Sequence, residues 1–304
     1  MARLLEGKTA LVTGAGHGIG QAHALELAKH GAKIVVNDLG SSVSGDGAGR
    51  DADRVVEAIR VRGGDAVADY GDVGDEAQAD AMVHRAIDEW GTIDILINNA
   101  GIVRDRAIWN MPAEDFDLVM RVHVRGPWLT SRAAARHWRA RSKAGEDVYG
   151  RIINTTSGAG LQGNFGQTNY ATAKAALTGL TLTLSVELAS IGVTANLIGP
   201  GALTRLSATT GMGDPVEPLD LGEDDWSGVD PRVSSPVVAW LASPAAAGVS
   251  GQCFRVMGEA LHWMEGWTEK VTITNGPAHW DATTLAQRME SDVFGTRARG
   301  LRIG

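Results

Sequence analysis

Residues 8–38 read KTALVTGAGHGIGQAHALELAKHGAKIVVND, and this stretch decides the fold that the sequence predicts. The apolar run at residues 8–13 predicts a buried strand, and a turn with four glycines follows it directly. Residues 21–30 predict a helix that ends at Gly31, a residue type common just beyond helix C-termini. Residues 32–38 predict a second strand. This strand–turn–helix–strand order is the context in which a glycine-rich turn binds a dinucleotide.

The glycine-rich turn has the features of a pyrophosphate site. Glycines let the backbone approach the phosphates closely, and the helix that follows offers free N–H groups and a positive dipole end. The alternative is a tight turn that binds no ligand. Because the flanking strands and helix favour the site, we expect cofactor contacts from these residues of the turn: Gly14, Gly16, His17, Gly18, Ile19 and Gly20.

Asp38 ends the second predicted strand and indicates which cofactor binds. A carboxylate at this place accepts hydrogen bonds from the adenosine ribose hydroxyls and repels a 2′-phosphate. Leu39 and Gly40 follow, so no arginine stands next in sequence to reverse that preference. NAD is therefore predicted rather than NADP, although a protonated His17 would weaken the preference. The alternative role of Asp38 is that of a turn residue at a strand end.

The composition is that of a soluble globular enzyme. The chain has 304 residues, of which 44% are hydrophobic and 21% charged, and its formal charge of −8 argues against a general nucleic-acid binder. No apolar stretch is long enough to span a bilayer. Cys253 is the single cysteine, which excludes an intrachain disulfide, and residues 1–7 leave no room for a signal peptide before the first strand. We therefore expect a cytoplasmic protein with a small-molecule substrate, no metal, and no membrane or nucleic-acid partner.

Apolar runs and amphipathic segments alternate along the chain beyond residue 38. Helices are predicted at residues 51–62, 75–90, 112–139 and 168–190, and strands at residues 66–68, 93–97, 151–156, 193–198 and 253–256. This alternation predicts an α/β fold, a Rossmann-type doubly wound parallel sheet with helices on both faces. Ligands of such sheets bind at the carboxyl ends of the strands.

The domain organisation follows from where this alternation stops. We predict one nucleotide-binding domain at residues 1–258 and a C-terminal extension at residues 259–304. Residues 202–230 are rich in Gly, Asp and Pro, and residues 203–210 predict a short helix within them. Because this long segment follows a strand end where ligands bind, we predict that it is a substrate lid.

The C-terminal extension is dense in tryptophan, with Trp263, Trp267 and Trp280. Large aromatic side chains favour burial. The extension is therefore expected to cover the pocket of its own subunit or of a neighbouring one, or else to pack on the outside of the sheet.

Tyr170 and Lys174 carry the chemistry that the sequence predicts. Positions four apart on a helix lie on one face, so both side chains would meet the same ligand. An ammonium group beside a phenol favours the phenolate and lowers the pKa of the tyrosine. A phenol tuned in this way is a general acid and base for interconverting an alcohol and a ketone near neutral pH. The alternative is an ordinary exposed helix face.

Together these stretches resemble the short-chain dehydrogenase/reductase family over residues 7 to about 258. Five motifs in the family's order carry the resemblance: Thr13-Gly14…Gly18-Ile19-Gly20, Asn98-Asn99-Ala100-Gly101, Ser157, Tyr170…Lys174 and Pro200-Gly201. The resemblance implies that Tyr170 exchanges a proton with the substrate oxygen, that Ser157 hydrogen-bonds this oxygen, and that Lys174 binds the nicotinamide ribose. It also implies a homodimer or homotetramer formed through the long helices. Further cofactor contacts that it implies are at the adenine (Asp72, Val73), along the groove (Asn99, Ala100, Gly101) and behind the nicotinamide (Pro200, Gly201).

Two positions depart from the family's pattern. His123 stands where the family usually has an asparagine that helps to hold a proton-relay water. An imidazole also donates to or accepts from water, so a relay through His123 is one hypothesis. Packing alone, or a bond to a backbone carbonyl, is the other. Thr204, which we include among the cofactor contacts, comes one residue earlier than the family's threonine at the carboxamide.

Within the family, the chain is similar to the (3R)-hydroxyacyl-CoA dehydrogenase module of multifunctional enzyme type 2. The similarity lies in residues 36–40, 101–106, 121–126 and 163–167. It implies oxidation of a 3-hydroxyacyl-CoA to the 3-oxoacyl-CoA, with NAD⁺ taking the hydride. Two arginines, Arg104 and Arg106, would either meet CoA phosphates or be solvated surface residues.

The sequence leaves other functions of the same fold as alternatives. A hydroxysteroid dehydrogenase would differ mainly in the lid and the extension. A 3-oxoacyl carrier-protein reductase using NADPH is disfavoured by Asp38. A non-catalytic nucleotide-binding protein is disfavoured because Ser157, Tyr170 and Lys174 are all present.

Overall fold

Eight strands form one sheet in the computed structural model, which describes residues 3–208, 214–222, 225, 227–266, 272–274 and 281–294. In chain order the strands are β1 (Thr9–Thr13), β2 (Lys33–Asn37), β3 (Ala66–Asp69), β4 (Ile95–Asn98), β5 (Gly150–Thr155), β6 (Val193–Gly201), β7 (Cys253–Met257) and β8 (Ala260–Met264). Their order across the sheet is β3-β2-β1-β4-β5-β6-β7-β8. Strands β1 to β7 are parallel, and β8 is antiparallel to β7.

Helices alternate with the strands and include those that the sequence predicts, whereas the helices at Gly158–Gln162, Ser235–Ala242 and Ala282–Arg288 were not predicted. Those of the described residues are α1 (Gly18–Lys29), α2 (Asp51–Val61), α3 (Glu76–Trp90), α4 (Ala113–Met120), α5 (Gly126–Lys143), α6 (Gly158–Gln162), α7 (Thr168–Glu187), α8 (Arg205–Ala208), α9 (Ser235–Ala242) and α10 (Ala282–Arg288). None of these helices combines the length and the apolar composition that crossing a membrane requires.

Both faces of the sheet are buried beneath helices. Successive side chains of each strand point to opposite faces, so neighbouring residues of one strand belong to different cores. In β1, Ala10 and Val12 belong to the core beneath α1, α2 and α9. Leu11 belongs to the core on the other face, beneath α3, α5 and α7. The predicted doubly wound fold is therefore confirmed. Strand β1 lies between β2 and β4, so the direction of winding reverses between β1 and β4, where such sheets bind their ligands.

The long helix predicted at residues 112–139 is present but contains a π-helical turn. Helix α4 continues through the π turn Arg121–Arg125 into α5. Pro127 stands in the first turn of α5 and has no N–H to donate to the carbonyl of residue 123, four positions earlier. The missing hydrogen bond accounts for the wider turn, which contains His123.

The antiparallel strand β8 was not predicted, and it lies within the predicted extension. The first compact unit of the chain runs to Met264, six residues beyond the boundary expected at residue 258. Met257 pairs with Ala260, so β7 and β8 are joined by two residues, and the first of them, Gly258, has a φ of +56°. Such a two-residue hairpin turn favours glycine at its first position. The dipeptide Gly258-Glu259 was thus the signal that could have revealed β8.

Residues 265–304 form a second unit, of which residues 272–274 and 281–294 are described beyond Gly266. Helix α10 is followed by the π turn Met289–Phe294. Arg288 pairs with Asp292 at 3.0 Å and donates to the Thr274 carbonyl at 2.8 Å. Trp263 lies on β8 and is 65% exposed, whereas Trp267 and Trp280 lie outside the described residues. The role of the extension stays a prediction.

The segment predicted as a lid begins with α8, within the short helix expected at residues 203–210. Its two ends lie close together, because the Leu203 amide donates to the Val229 carbonyl at 2.7 Å. The Val216 amide donates to the Leu203 carbonyl at 3.1 Å. Residues 209–213, 223–224 and 226 lie outside the described part of the chain.

His23 gives the fold a measurable pH dependence. Its ring is fully buried on α1, with Nδ1 at 2.9 Å from the Ser235 hydroxyl, and burial lowers its pKa from 6.5 to about 3. Between pH 6.5 and 3 the unfolded chain therefore binds a proton that the folded chain does not, so stability falls as the pH falls. At pH 5 the loss due to His23 is about 2 kcal/mol.

We expect His23→Gln, which keeps a hydrogen-bonding group for Ser235, to remove this part of the acid sensitivity. Urea unfolding of the wild type and the variant at pH 7.5 and pH 5 measures the difference. Equal losses of unfolding free energy in both proteins would contradict the role given to His23.

Candidate active site

A cavity of about 430 Å³ lies at the carboxyl edge of the strands. Every residue that the sequence predicts for the site lines it, except Gly16. The remaining predicted cofactor and catalytic residues come from eight segments of the chain, and the fold brings them to one place. Lining residues that the sequence did not indicate include Arg205, Arg255 and Met257.

The glycine-rich turn leaves no room for side chains at its critical positions. Gly14 has a φ of +62°, which favours glycine, and a Cβ there would lie 2.6 Å from the Cα of Ala100. A Cβ on Gly20 would overlap the Gly14 carbonyl oxygen. Helix α1 starts at Gly18, so its first N–H groups face the cavity lined by this turn. The turn therefore fits a pyrophosphate.

Asp38 is held firmly just beyond the end of β2. Its two carboxylate oxygens accept hydrogen bonds from the backbone N–H groups of Gly16 and Gly40, each at 2.7 Å. A Cβ on Gly16 would lie 2.7 Å from the carboxylate, so this glycine permits the close contact. Gly16 thus does not line the cavity itself but helps to hold the Asp38 carboxylate in place.

Thr13 organises the junction between β1 and the segment after β4, a role that the sequence did not indicate. Its hydroxyl accepts from the N–H groups of Asn99 and Ala100, at 3.0 and 3.1 Å, and donates to the Ile97 carbonyl at 3.3 Å. The Asn99 amide group donates to the carbonyls of Thr13 and Gly14, at 3.1 and 3.0 Å. Asn99 therefore ties the two sides of the groove together.

The lid segment reaches the glycine-rich turn through Glu217. Its carboxylate accepts from the Gly18 N–H at 3.2 Å and lies 3.2 Å from Nδ1 of His17. Asp51 lies 3.2 Å from the other ring nitrogen, and the hydrogen bond with Glu217 is the main cause that raises the pKa of His17. Thr204 lies beside the same turn, because a Cβ on Gly18 would be 3.4 Å from its methyl group. Although Thr204 comes one residue earlier than the family's threonine, it lines the predicted cofactor groove.

Tyr170 and Lys174 lie on α7 and face the cavity together, with the Lys174 ammonium 5.6 Å from the centre of the Tyr170 ring. Lys174 is 4% exposed and donates to the Thr155 carbonyl at 2.7 Å. Ser157 caps α6 and accepts from the Ala159 N–H at 3.3 Å. Ser157 also lies near enough to Tyr170 to lower the pKa of that phenol. The phenol, the hydroxyl and the amine therefore meet in one buried site.

The expected lowering of the Tyr170 pKa by Lys174 is wrong for this structure. Burial raises the pKa of Tyr170 to about 12, against the opposing effect of the Ser157 hydroxyl, and the Asp105 carboxylate raises it further. Burial lowers the pKa of Lys174 to about 7. The loss of hydration penalises both charged forms, and at neutral pH a partly neutral amine does little to favour a phenolate.

His123 lies in the π turn and is 1% exposed. Its Nε2 atom is 3.0 Å from the Ile102 nitrogen and 2.8 Å from the Ile102 oxygen, and the tautomer decides which contact is the hydrogen bond. The ring packs edge-on against Tyr170, with centroids 5.1 Å apart. Burial lowers the pKa of His123 well below 6.5, so the imidazole is neutral. Within the described residues, Nδ1 is buried without a hydrogen-bond partner.

Four further predicted residues come from the segment after β3 and from the end of β6. Asp72 pairs with Arg121 at 2.6 Å, next to Val73. Pro200 and Gly201 end β6 and pair with the last residues of β7. All four line the cavity, and their contacts with the adenine and the nicotinamide stay a prediction.

The arginines considered for CoA phosphates are engaged in ion pairs instead. Arg104 and Arg106 each bond Asp115 at 2.9 Å, and Arg104 also pairs with Asp46 at 3.1 Å. Arg104 further donates to the Ser44 carbonyl, so it fastens the glycine-rich loop after β2 to the loop after β4. These contacts favour the structural alternative for both arginines.

Thr13 can be tested by removing its hydroxyl while keeping its shape. Thr13→Val leaves the N–H groups of Asn99 and Ala100 without their acceptor in a buried site, so we expect a loss of about 1–3 kcal/mol of unfolding free energy. We also expect weaker NADH binding because Asn99 is displaced. Urea unfolding and a fluorescence titration with NADH measure both, and Thr13→Ser is the control that keeps the hydroxyl. A valine variant with wild-type stability and affinity would refute the role of this hydroxyl.

Comparison with known proteins places this site in a family. A family model described as short chain dehydrogenase matches residues 8–212. Hydroxyacyl-CoA dehydrogenase ChsB1 of Mycobacterium tuberculosis is 41% identical, over 96% of this chain and 90% of its own length. The peroxisomal multifunctional enzyme type 2 of Mus musculus is 43% identical over 78% of this chain, which spans only 30% of that longer protein. A crystal structure of a short chain dehydrogenase from Mycobacterium avium matches with a TM-score of 0.84 and 44% identity over 95% of both chains. The chain therefore belongs to the short-chain dehydrogenase family and is an oxidoreductase.

Proposed function

We propose that this enzyme oxidises the hydroxyl group of a 3-hydroxyacyl-CoA to the ketone with NAD⁺ as the hydride acceptor. The observation that carries the proposal is the meeting of Tyr170, Ser157 and Lys174 in one cavity that also contains the glycine-rich turn and Asp38. Relatives named hydroxyacyl-CoA dehydrogenase and peroxisomal multifunctional enzyme support the substrate class.

The side chains of the site divide the chemistry between them. NAD⁺, when bound, supplies the hydride acceptor at C4 of its nicotinamide. Ser157 holds the substrate hydroxyl oxygen, and the Tyr170 phenolate oxygen accepts its proton as the C3–H bond breaks and the carbonyl forms. In this proposal Lys174 holds the nicotinamide ribose. Because the pKa of Tyr170 is about 12, the phenol is protonated at neutral pH, so the oxidation rate should rise with pH.

The proposed preference for NAD rests on Asp38. Its carboxylate is fixed by two backbone N–H groups and cannot swing away from a 2′-phosphate without losing both bonds. Two further carboxylates lie nearby, since Asp51 and Glu217 are both 3.2 Å from His17, and the Arg205 cation also lies near this group. A protonated His17 between two carboxylates offers little net positive charge to a 2′-phosphate.

We also propose that residues 202–230 act as a substrate lid. A separate proposal is that the enzyme forms a homodimer or homotetramer. A groove on α4, the π turn, α5 and α7 is lined by four apolar residues and three charged ones: Met120, Val124, Trp128, Leu180, Asp117, Arg121 and Arg125. Trp128 is 45% exposed there, and burial against a second copy of the chain would remove this apolar surface from water. Light scattering in solution measures the mass that decides the oligomeric state.

We propose a cytoplasmic location because the chain has a single cysteine and so forms no intrachain disulfide. Cell fractionation tests this location.

The central experiment is the initial rate with NAD⁺ or NADP⁺ on two substrates, a (3R)-3-hydroxyacyl-CoA and a 17β-hydroxysteroid. We expect turnover of the thioester with NAD⁺, at a rate that rises with pH. Tyr170→Phe should lose most of this turnover while NADH still binds. Activity on the steroid alone would assign the alternative hydroxysteroid function, and NADH binding without any turnover would point to a nucleotide-binding protein.

We further propose that His123 relays a proton between the active site and water through its buried Nδ1. His123→Ala should lower kcat about tenfold or more and change its pH profile, since proton transfer by a placed group contributes at least this much. His123→Asn restores the residue type usual in the family and should keep most of the activity. An alanine variant with unchanged kcat and pH profile would leave His123 with a packing role only.

A further inference from the structure

Arg255 lies on the wall of the active-site cavity, on the strand that the family motifs do not include. On β7, Phe254 and Val256 are buried in the core, so Arg255 between them points to the opposite face of the sheet. There it lines the same cavity as Ser157 and Tyr170. Its strand neighbour on β6 is Gly199.

The path of the Arg255 side chain leads across β6 towards Ser157. A Cβ on Gly199 would lie 3.7 Å from Cγ of Arg255, so this glycine leaves room for the arginine stem. A Cβ on Gly158 would lie 3.0 Å from the Nη2 atom and 3.5 Å from Cζ. The guanidinium group is therefore next to the residue that follows Ser157.

Within the described part of the chain, no carboxylate or carbonyl lies within hydrogen-bond distance of the Arg255 guanidinium. Arg121 is paired with Asp72, and both Arg104 and Arg106 are paired with Asp115. Arg205 also lines the cavity, but its charge acts on His17 and Glu217 at the glycine-rich turn. Arg255 is partly buried and keeps five N–H donors for an acceptor from outside the chain. A charge withdrawn from water without a partner is costly, so a binding role is the natural reason for this placement.

The chemistry of the expected substrate supplies such an acceptor. In a 3-hydroxyacyl thioester, the carbonyl carbon C1 is joined to the reacting carbon C3 through a single CH₂ group. With the C3 oxygen at Ser157 and Tyr170, the thioester oxygen would lie two carbons away in the cavity that Arg255 also lines, with its guanidinium beside Gly158. Arginine donates strongly to such oxygens, whereas a hydroxysteroid or simple secondary alcohol has no oxygen at this place.

We propose that Arg255 donates hydrogen bonds to the thioester carbonyl oxygen of the substrate and so selects 3-hydroxyacyl thioesters over other secondary alcohols. This inference rests on the proposed function and names the residue that would recognise its substrate class.

The test compares variants of Arg255 on two substrates, one with the thioester carbonyl and one without it. Arg255→Met keeps the unbranched stem and removes the charge, and Arg255→Lys keeps a charge without the planar fork. The substrates are a 3-hydroxyacyl-CoA thioester and the matching thioether, in which CH₂ replaces the carbonyl. Arg85→Met, on the exposed surface of α3, is the control for loss of one positive charge.

We expect Arg255→Met to lower kcat/KM on the thioester roughly 10- to 100-fold, the range for losing a charge-assisted hydrogen bond. On the thioether, wild type and Arg255→Met should be equally slow. The lysine variant should fall between wild type and Arg255→Met on the thioester, and Arg85→Met should match the wild type. NADH affinity should be unchanged in all variants, and the retained affinity also shows that they fold.

Equal losses on thioester and thioether would overturn the contact with the carbonyl. A loss of NADH affinity in Arg255→Met would place the guanidinium at the cofactor instead and overturn it as well. If the wild type binds NADH but does not oxidise the thioester at all, the proposed function fails, and the inference falls with it. Turnover by the wild type that does not depend on Arg255 overturns the inference alone.

Discussion

The hydroxyl group of Thr13 joins the carboxyl ends of β1 and β4, and the rest of the site depends on this junction. The chain leaves the two strands in opposite directions, so the first N–H groups after β4 have no strand to pair with. Thr13 accepts from the N–H groups of both Asn99 and Ala100. Asn99 then donates to the carbonyls of Thr13 and Gly14, so these hydrogen bonds fix the start of the glycine-rich turn against the segment after β4. This turn is the part of the site that fits a pyrophosphate.

A buried chain of polar side chains extends this order to the catalytic helix. Thr130 of α5 donates to Asn98 at 2.7 Å, Asn98 donates to Asn154 of β5 at 2.8 Å, and Asn154 donates to Thr181 of α7 at 2.9 Å. Satisfied buried networks specify one arrangement, because any shift would leave a polar group unpaired. Helix α7, which carries Tyr170 and Lys174, is thus fixed relative to the centre of the sheet.

Burial then decides which charges the cavity retains. Tyr170, Lys174 and His123 all have pKa values shifted towards their neutral forms, because the loss of hydration penalises each charge. The carboxylate of Asp38 lies just beyond the end of β2, where the adenosine is expected, and the guanidinium of Arg255 lies beside Gly158. The cavity therefore combines groups held in their neutral forms with a carboxylate and a guanidinium group.

The sequence by itself determined the order of strands β1 to β7 and of the longest helices between them, the glycine-rich turn and the pair Tyr170 and Lys174. These features depend on apolar periodicity, on glycine spacing and on helical geometry, all of which are local. The tertiary structure alone decided the acceptor role of Thr13, the contact of Glu217 with Gly18 and the position of Arg255, because these join residues far apart in the chain. It also reversed the expected pKa of Tyr170, since helical spacing places the amine near the phenol but says nothing about how deeply both are buried. Depth of burial is a property of the packed sheet and helices, and here it outweighs the charge that the sequence places four residues away.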